Sequence, residues 1–536
     1  MFQNKVVYQI YPKSFLDTDG NGVGDIRGII KKLDYLSLLG VDMLWLTPVH
    51  VSPQVDNGYD TQDYYNIDPL FGTMGDIEEL IAKAQEHNIE IMFDMVLNHT
   101  STQHEWFQKA LTGDQKYMDY YFFKERPTNW QSKFGGTAWS YVEDLKLYYL
   151  HLFDKTQADL NWDNDAVFEE VCKIVNFWLD KGIKGLRFDV VNLVSKPEIF
   201  EDDFEGDGRR FYTDGPHIHE YLHKLNINTF GKRKDILTVG EMSSTSLEDG
   251  VKYADPTRSE LATIFNFHHL KVDYKDNKKW HVQSFDFIEL KKILSDWQIA
   301  SQDKDALVAL FLNNHDQPRS VSRFGDVVNY HYESATMIAS AIQNMRGIVY
   351  IYQGEEIGLP NAEFEALDTF KDVESINAYN LLEGTHEEKM FSLRSHSRDN
   401  GRTPMPWTKA GQHHGFTSGR PWLDLSHSKA LISVEESLED RNSIFYFYKK
   451  LIELRHTDAV INKGRISFLE LDDPQLFVYT KEYENTKYLF LNNFYEKEVQ
   501  YDIETKGAKI ILSNYNMASV DSKVTLKAYE TLVVKI

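Results

Sequence analysis

The chain has 536 residues, 42% of them hydrophobic and 26% charged, with a formal net charge of −24 at pH 7. So large an excess of acid argues against a nucleic-acid partner, because phosphate backbones are bound by Lys and Arg, and against an anionic membrane surface. A small anionic ligand is not excluded, since a local basic cluster can govern the field inside a cleft.

The N-terminal stretch MFQNKVVYQIYPKSF lacks the apolar segment of a signal peptide. No apolar run reaches the roughly 18 residues of a membrane span. Cys172 is the only cysteine, so no intrachain disulfide can form. A cytoplasmic location and a monomer or weak oligomer are the expectations. An α/β barrel uses about 250 residues by itself, so one barrel with additions accounts for the length.

The first strand-like run is KVVYQIY. DTDGNGVGD follows, with Asp17, Asp19, Asn21 and Asp25 at alternate positions between glycines. That spacing matches the first part of a calcium loop, with the Val23 carbonyl as a further ligand. Position twelve is Gly28 rather than Glu, so the segment is not a full EF-hand, and it reads either as a Ca²⁺ or Mg²⁺ site or as a plain Asx-rich turn. No organic cofactor is expected.

Seven further runs follow: VDMLWLT, IEIMFDMV, KGLRFDV, ILTVGE, ELATIFNF, ALVALFL and GIVYIYQ. Amphipathic segments such as DIRGIIKKLDYLSLLG and MGDIEELIAKAQEHN separate most of them. Eightfold strand–helix alternation predicts a parallel TIM (β/α)8 barrel. The long gap between the third and fourth runs, rich in aromatics including Trp106, Trp130, Trp139 and Trp162, predicts an inserted subdomain after strand 3.

Past residue 458 the pattern changes to short alternating segments such as GRISFLEL and LFVYTKEY. These predict a C-terminal antiparallel β domain. The expected division is a barrel over 1–102 and 169–457, an insert over 103–168 and a β-sandwich over 458–536.

Asp189, Glu241 and Asp316 each lie just past a strand-like run, in GLRFDVV, ILTVGE and LVALFLNNHD. Chain direction alone would bring such residues to one rim of a parallel barrel, where barrel enzymes place their chemistry. Paired carboxyl groups are the equipment for cleaving a glycosidic bond.

DMVLNH at 94–99, GLRFDVVN at 185–192, the Glu of VGEMSS at 241 and NNHD at 313–316 resemble, in order and spacing, the four sequence regions of the α-amylase family of glycoside hydrolases. QADLNW at 157–162 and GRTPMPW at 401–407 resemble its oligo-1,6-glucosidase branch. Within that branch, EGDGRRFYTDGP at 205–216, VGEMSSTSLE at 239–248 and FNFHHLKVDY at 265–274 resemble the members that cleave trehalose 6-phosphate. Relatives acting on neutral sugars carry an acidic FQFEH-type run where this chain has His268, His269 and Lys271.

The resemblance implies a retaining, exo-acting α-glucosidase that converts trehalose 6-phosphate to glucose and glucose 6-phosphate. The alternative is an oligo-1,6-glucosidase acting on isomalto-oligosaccharides. Asp189 would be the nucleophile, supported by Arg187; Glu241 the acid and then the base; Asp316 a stabiliser of the flattened ring. His99 and His315 would donate to the sugar, and Asp60 and Arg398 would hold its terminal hydroxyl. Lys196, Arg209, Arg210 and Lys271 are the phosphate candidates, because guanidinium forks and ammonium charges are the usual phosphate partners.

Overall fold

The computed structural model describes residues 2–503, 508–515, 517 and 519–536. Eight short strands form one sheet: β1 Val6–Ile10, β2 Met43–Leu46, β3 Glu90–Met95, β4 Gly185–Phe188, β5 Leu237–Glu241, β6 Thr263–Phe265, β7 Ala309–Leu310 and β8 Ile348–Tyr352. All eight coincide with the sequence runs.

Their order across the sheet is β6-β5-β4-β3-β2-β1-β8-β7, chain order wrapped round so that the last strand lies beside the first. β1 pairs parallel with β8, Val6 against Val349 and Gln9 against Tyr352. β4 runs parallel to both β3 and β5. This is the parallel barrel that the alternation predicts. Every residue of β1, β2, β4 and β8 is buried. Parallel strands covered on both faces have no solvent side, which is why they read as unbroken apolar runs.

Helices lie between most of the strands. Asp165–Asp180 is capped by Asn164 and buries Val167, Val171, Ile174, Val175, Trp178 and Leu179 on one stripe. The stretch expected as one helix after β1 is two, Ile26–Lys31 and Leu33–Leu39, because Lys32 leaves helical geometry at φ −108°, ψ 10°. Its ammonium lies 4.0 Å from the Trp407 ring centroid, a cation–π contact.

The excursion between β3 and β4 holds a two-stranded ladder, His99–Ser101 with Gln157–Asp159. It also holds a three-stranded sheet of Phe123–Lys124, Leu147–Leu150 and Trp139–Val142. Phe122, Trp130, Trp139, Leu150 and Leu152 form an apolar cluster there that also includes Val190, Leu193 and Tyr212.

The C-terminal region is antiparallel. A five-stranded sheet runs in the order Arg465–Leu469, Leu476–Tyr483, Thr486–Asn493, Thr531–Lys535, Lys509–Ser513, and Val499–Asp502 pairs with Lys523–Leu526 in a second sheet. The two sheets share a core of Leu476, Val478, Leu489, Leu491, Val524, Leu526, Leu532 and Val534.

The chain separates into two compact units, one of Met1–Leu44, His87–Ile89 and His268–Ile536, the other of Trp45–Glu86 and Glu90–Phe267. Among the described residues no helix is long and apolar enough to cross a membrane.

Candidate active site

In the unit containing β3, β4 and β5, the ladder sets Arg187 opposite Asp94. Laterally paired residues leave a sheet on the same face, so a guanidinium and a carboxylate emerge side by side. Arg187 Nη1 donates to Asp94 Oδ1 at 2.7 Å and to Asp189 Oδ1 at 2.6 Å, and Nη2 donates to Glu241 Oε2. Trp45 Nε1 and Tyr59 OH donate to the other Asp94 oxygen at 3.2 and 3.0 Å, and the Trp45 and Tyr59 ring centroids lie 5.2 and 5.7 Å from the guanidinium carbon. The arginine is buried, which is tolerable because three carboxyl groups compensate its charge.

Burial pushes the Asp189 carboxyl up to about 6, against the pull of Arg187, and the Asp94 charge adds to the rise. Asp94 is raised in the same direction, also chiefly by burial. One cation among three acids leaves the set ready to share a proton, as an acid/base pair requires. Val190, directly after Asp189, adopts φ 36°, ψ 38°, a left-handed geometry that β-branched residues avoid. Its N–H lies 3.3 Å from Glu241 Oε2.

His99 is buried, with Nε2 2.9 Å from the Tyr59 carbonyl and Nδ1 3.2 Å from the Asn98 amide nitrogen. Asp60 is buried and accepts from Ser52 Oγ, Val55 N and Asp56 N at 2.9, 2.9 and 3.1 Å. Lys196 does not fit the phosphate role proposed for it. It is buried, and its ammonium reaches Asp159 Oδ1 at 2.7 Å and Asn98 Oδ1 and the Leu193 carbonyl at 2.8 Å, one acceptor for each donor. Arg209 is exposed and forked onto Asp207, with Nε 2.9 Å from Oδ1. Arg210 pairs with Asp203 and Glu205 at 2.9 and 2.8 Å.

In the other unit, Asp316 follows β7 and its Oδ1 accepts from Arg402 Nη2 at 2.8 Å, with Arg398 Nη1 at 3.4 Å. His315 Nε2 lies 3.2 Å from Asp316 Oδ2, and its Nδ1 lies 2.7 Å from Gln9 Nε2. Arg398 also reaches Asp372 at 2.7 Å. Burial acts to raise Asp372, but Arg398 and Arg402 hold it far below the usual carboxylate range. Glu374 lies 2.7 Å from Lys279 and 3.5 Å from Arg398.

Lys271 is half-buried just after the turn His268–Leu270. His269 supplies no positive charge: it is buried, its pKa is pushed down to about 4 by that burial, and Nε2 lies 2.9 Å from the Phe311 carbonyl. The run read as basic is therefore less basic than its composition.

Asp17, Asp19 and Asp25 bring one carboxylate oxygen each within 4.8 Å of one another, an all-oxygen set of the hard-cation type. Asn21 Oδ1 caps Val23 N at 2.7 Å. A Cβ on Gly22 would stand 1.8 Å from the Arg420 carbonyl oxygen, and φ there is +91°, so the loop needs glycine at that point.

Asp94, Tyr59, Asp372 and Arg402 join these clusters without being among the residues the sequence motifs single out. Asp94 was within reach, since an arginine inside a barrel strand demands a counter-charge at the same level of a neighbouring strand. Asp372 has no comparable local signal.

The model of the alpha amylase catalytic domain matches residues 9–464, and that of the alpha-amylase SusG C-terminal domain matches 476–533. The trehalose-6-phosphate hydrolase of Bacillus subtilis (strain 168) is 46% identical over 551 residues, covering 100% of this chain and 98% of its own. An oligo-1,6-glucosidase of Bacillus cereus is 42% identical over 555 residues, covering 100% and 99%. The crystal structure of Bacillus licheniformis trehalose-6-phosphate hydrolase superposes with a TM-score of 0.96 at 47% identity, over 100% of this chain and 99% of that one. Asp189 just past β4, Glu241 at the end of β5 and Asp316 beyond β7 thus stand inside a match that takes in the whole barrel, and the chain belongs to the alpha-amylase family of glycoside hydrolases.

Proposed function

We propose that the protein is a retaining, exo-acting α-glucosidase that hydrolyses trehalose 6-phosphate to glucose and glucose 6-phosphate. The observation that carries the glycosidase chemistry is the single buried guanidinium shared by Asp189 and Glu241. Two carboxyl groups on one guanidinium are close enough for a retaining pair, whose spacing is about 5 Å. In this reading Asp189 attacks the anomeric carbon while Glu241 gives a proton to the departing oxygen. Glu241 then takes a proton from the water that cleaves the glycosyl ester.

Asp316, steadied by Arg402 and Arg398, would bind ring hydroxyls more tightly as the sugar flattens. Arg398 and Asp60 would close the subsite on a terminal hydroxyl, which limits removal to one residue at a time. Catalysis is assigned to the barrel, with the excursion over 103–168 forming a wall of the cleft.

The substrate choice rests on relatives of that name matching end to end. Incubation with trehalose 6-phosphate, isomaltose and p-nitrophenyl α-glucoside, with product analysis for glucose and glucose 6-phosphate, tests it. A wide preference for isomaltose rejects it in favour of an oligo-1,6-glucosidase, the second reading, which the 42% identical relative supports. A phosphorylated sugar does not diffuse across a bilayer, which fits a cytoplasmic enzyme. We also propose that Asp17, Asp19, Asn21, Asp25 and the Val23 carbonyl hold a structural Ca²⁺ or Mg²⁺.

A further inference from the structure

The phosphate of trehalose 6-phosphate travels with the leaving sugar. That sugar must lie beside the group that protonates its oxygen, so the cation that recognises the phosphate belongs within side-chain reach of Glu241. Among the candidates in this unit, Lys196 is committed to three buried acceptors, Arg209 to Asp207, and Arg210 to Asp203 and Glu205.

Lys133, whose charge Asp207 also feels, stands beside the segment that follows Glu241. Its Nζ lies 3.1 Å from Ser243 Oγ, and Ser243 is two residues beyond Glu241. Ser243 is itself fixed: its N–H donates to Asn192 Oδ1 at 2.9 Å and its carbonyl accepts from Asn192 Nδ2 at 3.0 Å. Asn192 is three residues beyond Asp189, so one side-chain amide ties the segment after the nucleophile to the segment after the acid.

The base of Lys133 is anchored as well. Its own N–H donates to the Leu152 carbonyl at 2.8 Å and Gln131 N to the Asp207 carbonyl at 3.0 Å. Ser132 Oγ reaches the Phe153 carbonyl at 2.7 Å. The ammonium passes 5.6 Å from the Tyr212 ring centroid. The positive charge is held at a defined place instead of on a mobile surface stem, which lowers the entropy lost on binding.

We propose that Lys133, with the Ser243 hydroxyl it touches, forms the phosphate subsite for the leaving sugar. The inference rests on the trehalose 6-phosphate reading above. An ammonium and a hydroxyl offer a phosphate a charge-assisted and a neutral hydrogen bond. Ser243 accepts from Lys133 and keeps its own proton to donate.

The test compares wild type, Lys133→Met and Lys133→Arg on trehalose 6-phosphate and on p-nitrophenyl α-glucoside. Lys133→Met keeps the apolar stem and removes the charge. It should raise KM for the phosphorylated sugar by on the order of 10- to 100-fold while kcat/KM for the neutral glucoside stays within about 3-fold. Lys133→Arg should recover part of the loss. The neutral glucoside reports whether each variant is folded and competent.

Equal losses on both substrates, or no loss on either, overturn the role of Lys133 alone. Wild type that fails to turn over trehalose 6-phosphate overturns the substrate reading and Lys133 with it, so the two failures are told apart.

Discussion

Arg187 and Asp94 are direct partners in the ladder between β3 and β4, and their side chains meet at 2.7 Å. The same guanidinium nitrogen then holds Asp189 at 2.6 Å. Asp94 therefore bears on Asp189 electrostatically: its charge raises the Asp189 pKa, to which Arg187 alone would give the opposite push.

The pH profile follows. As the proposed nucleophile Asp189 must be ionised to attack, and with its carboxyl pushed up to about 6 the kcat/KM profile should have an acid limb near that pH. Asp94→Asn removes one negative neighbour, so the limb should move to lower pH. An unmoved or rising limb would show that Asp94 does not act on Asp189.

Stability should respond in the opposite sense to activity. Folding raises this carboxyl, so the folded chain binds its proton more tightly than the unfolded chain, and the cost of ionisation builds between about pH 4 and 6 and is complete above. Asp189→Asn cannot ionise and keeps its neighbours Asp94 and Glu241 on Arg187. Its Tm relative to wild type should climb from pH 5 to pH 8, while kcat falls by orders of magnitude. Thermal melts across that range decide the matter; a Tm gap that shrinks with pH contradicts the reading.

Glu241→Gln separates proton donation from attack. Loss of general acid catalysis typically costs about 10²–10⁴-fold, and the cost should be large for a sugar leaving group. p-Nitrophenolate departs without needing a proton, so the first step on p-nitrophenyl α-glucoside should suffer far less. Burst kinetics on the aryl substrate would reveal it, and equal losses on both substrates would speak against the donor role.

If Arg398 holds the terminal hydroxyl as proposed, Arg398→Ala should lower kcat/KM by on the order of 10- to 100-fold, the scale of a charged hydrogen bond. It also strips Asp372 of a partner at 2.7 Å, so the Tm should fall. Kinetics on p-nitrophenyl α-glucoside give the check, with unchanged turnover the contrary result.

The loop at residues 17–25 yields a metal test. Saturating Ca²⁺ at about 100 times its Kd should stabilise the fold by about 2.7 kcal/mol, EDTA should reverse this, and Asp19→Ala should abolish it. Melts insensitive to Ca²⁺, Mg²⁺ and EDTA would leave the segment as a turn held by its own Asx contacts.

The eight strands could be read because doubly covered parallel strands are nearly continuous in Val, Ile, Leu and Tyr, a pattern that needs no tertiary knowledge. The acids at strand ends followed from chain direction. What escaped was pairing. Lys196 looked like an available cation because nothing local announces Asp159, 37 residues earlier in the chain, as its buried partner at 2.7 Å. His269 looked basic, although its pKa is set by burial against Phe311. Asp372 caps the helix Val373–Leu381, a local role that says nothing of Arg398, and only folding brings the two together. Charge can be counted along a chain, but its availability depends on neighbours that folding supplies.

Val190 lies in the apolar cluster of the excursion, alongside Trp130, Trp139, Leu150 and Leu152, while its backbone is bent into a geometry its side chain disfavours. The aromatic packing of the inserted segment thus grips the peptide next to Asp189. Transplanting that segment from a relative to alter substrate preference would disturb the Asp189 carboxylate unless the grafted side chains reproduce the same socket.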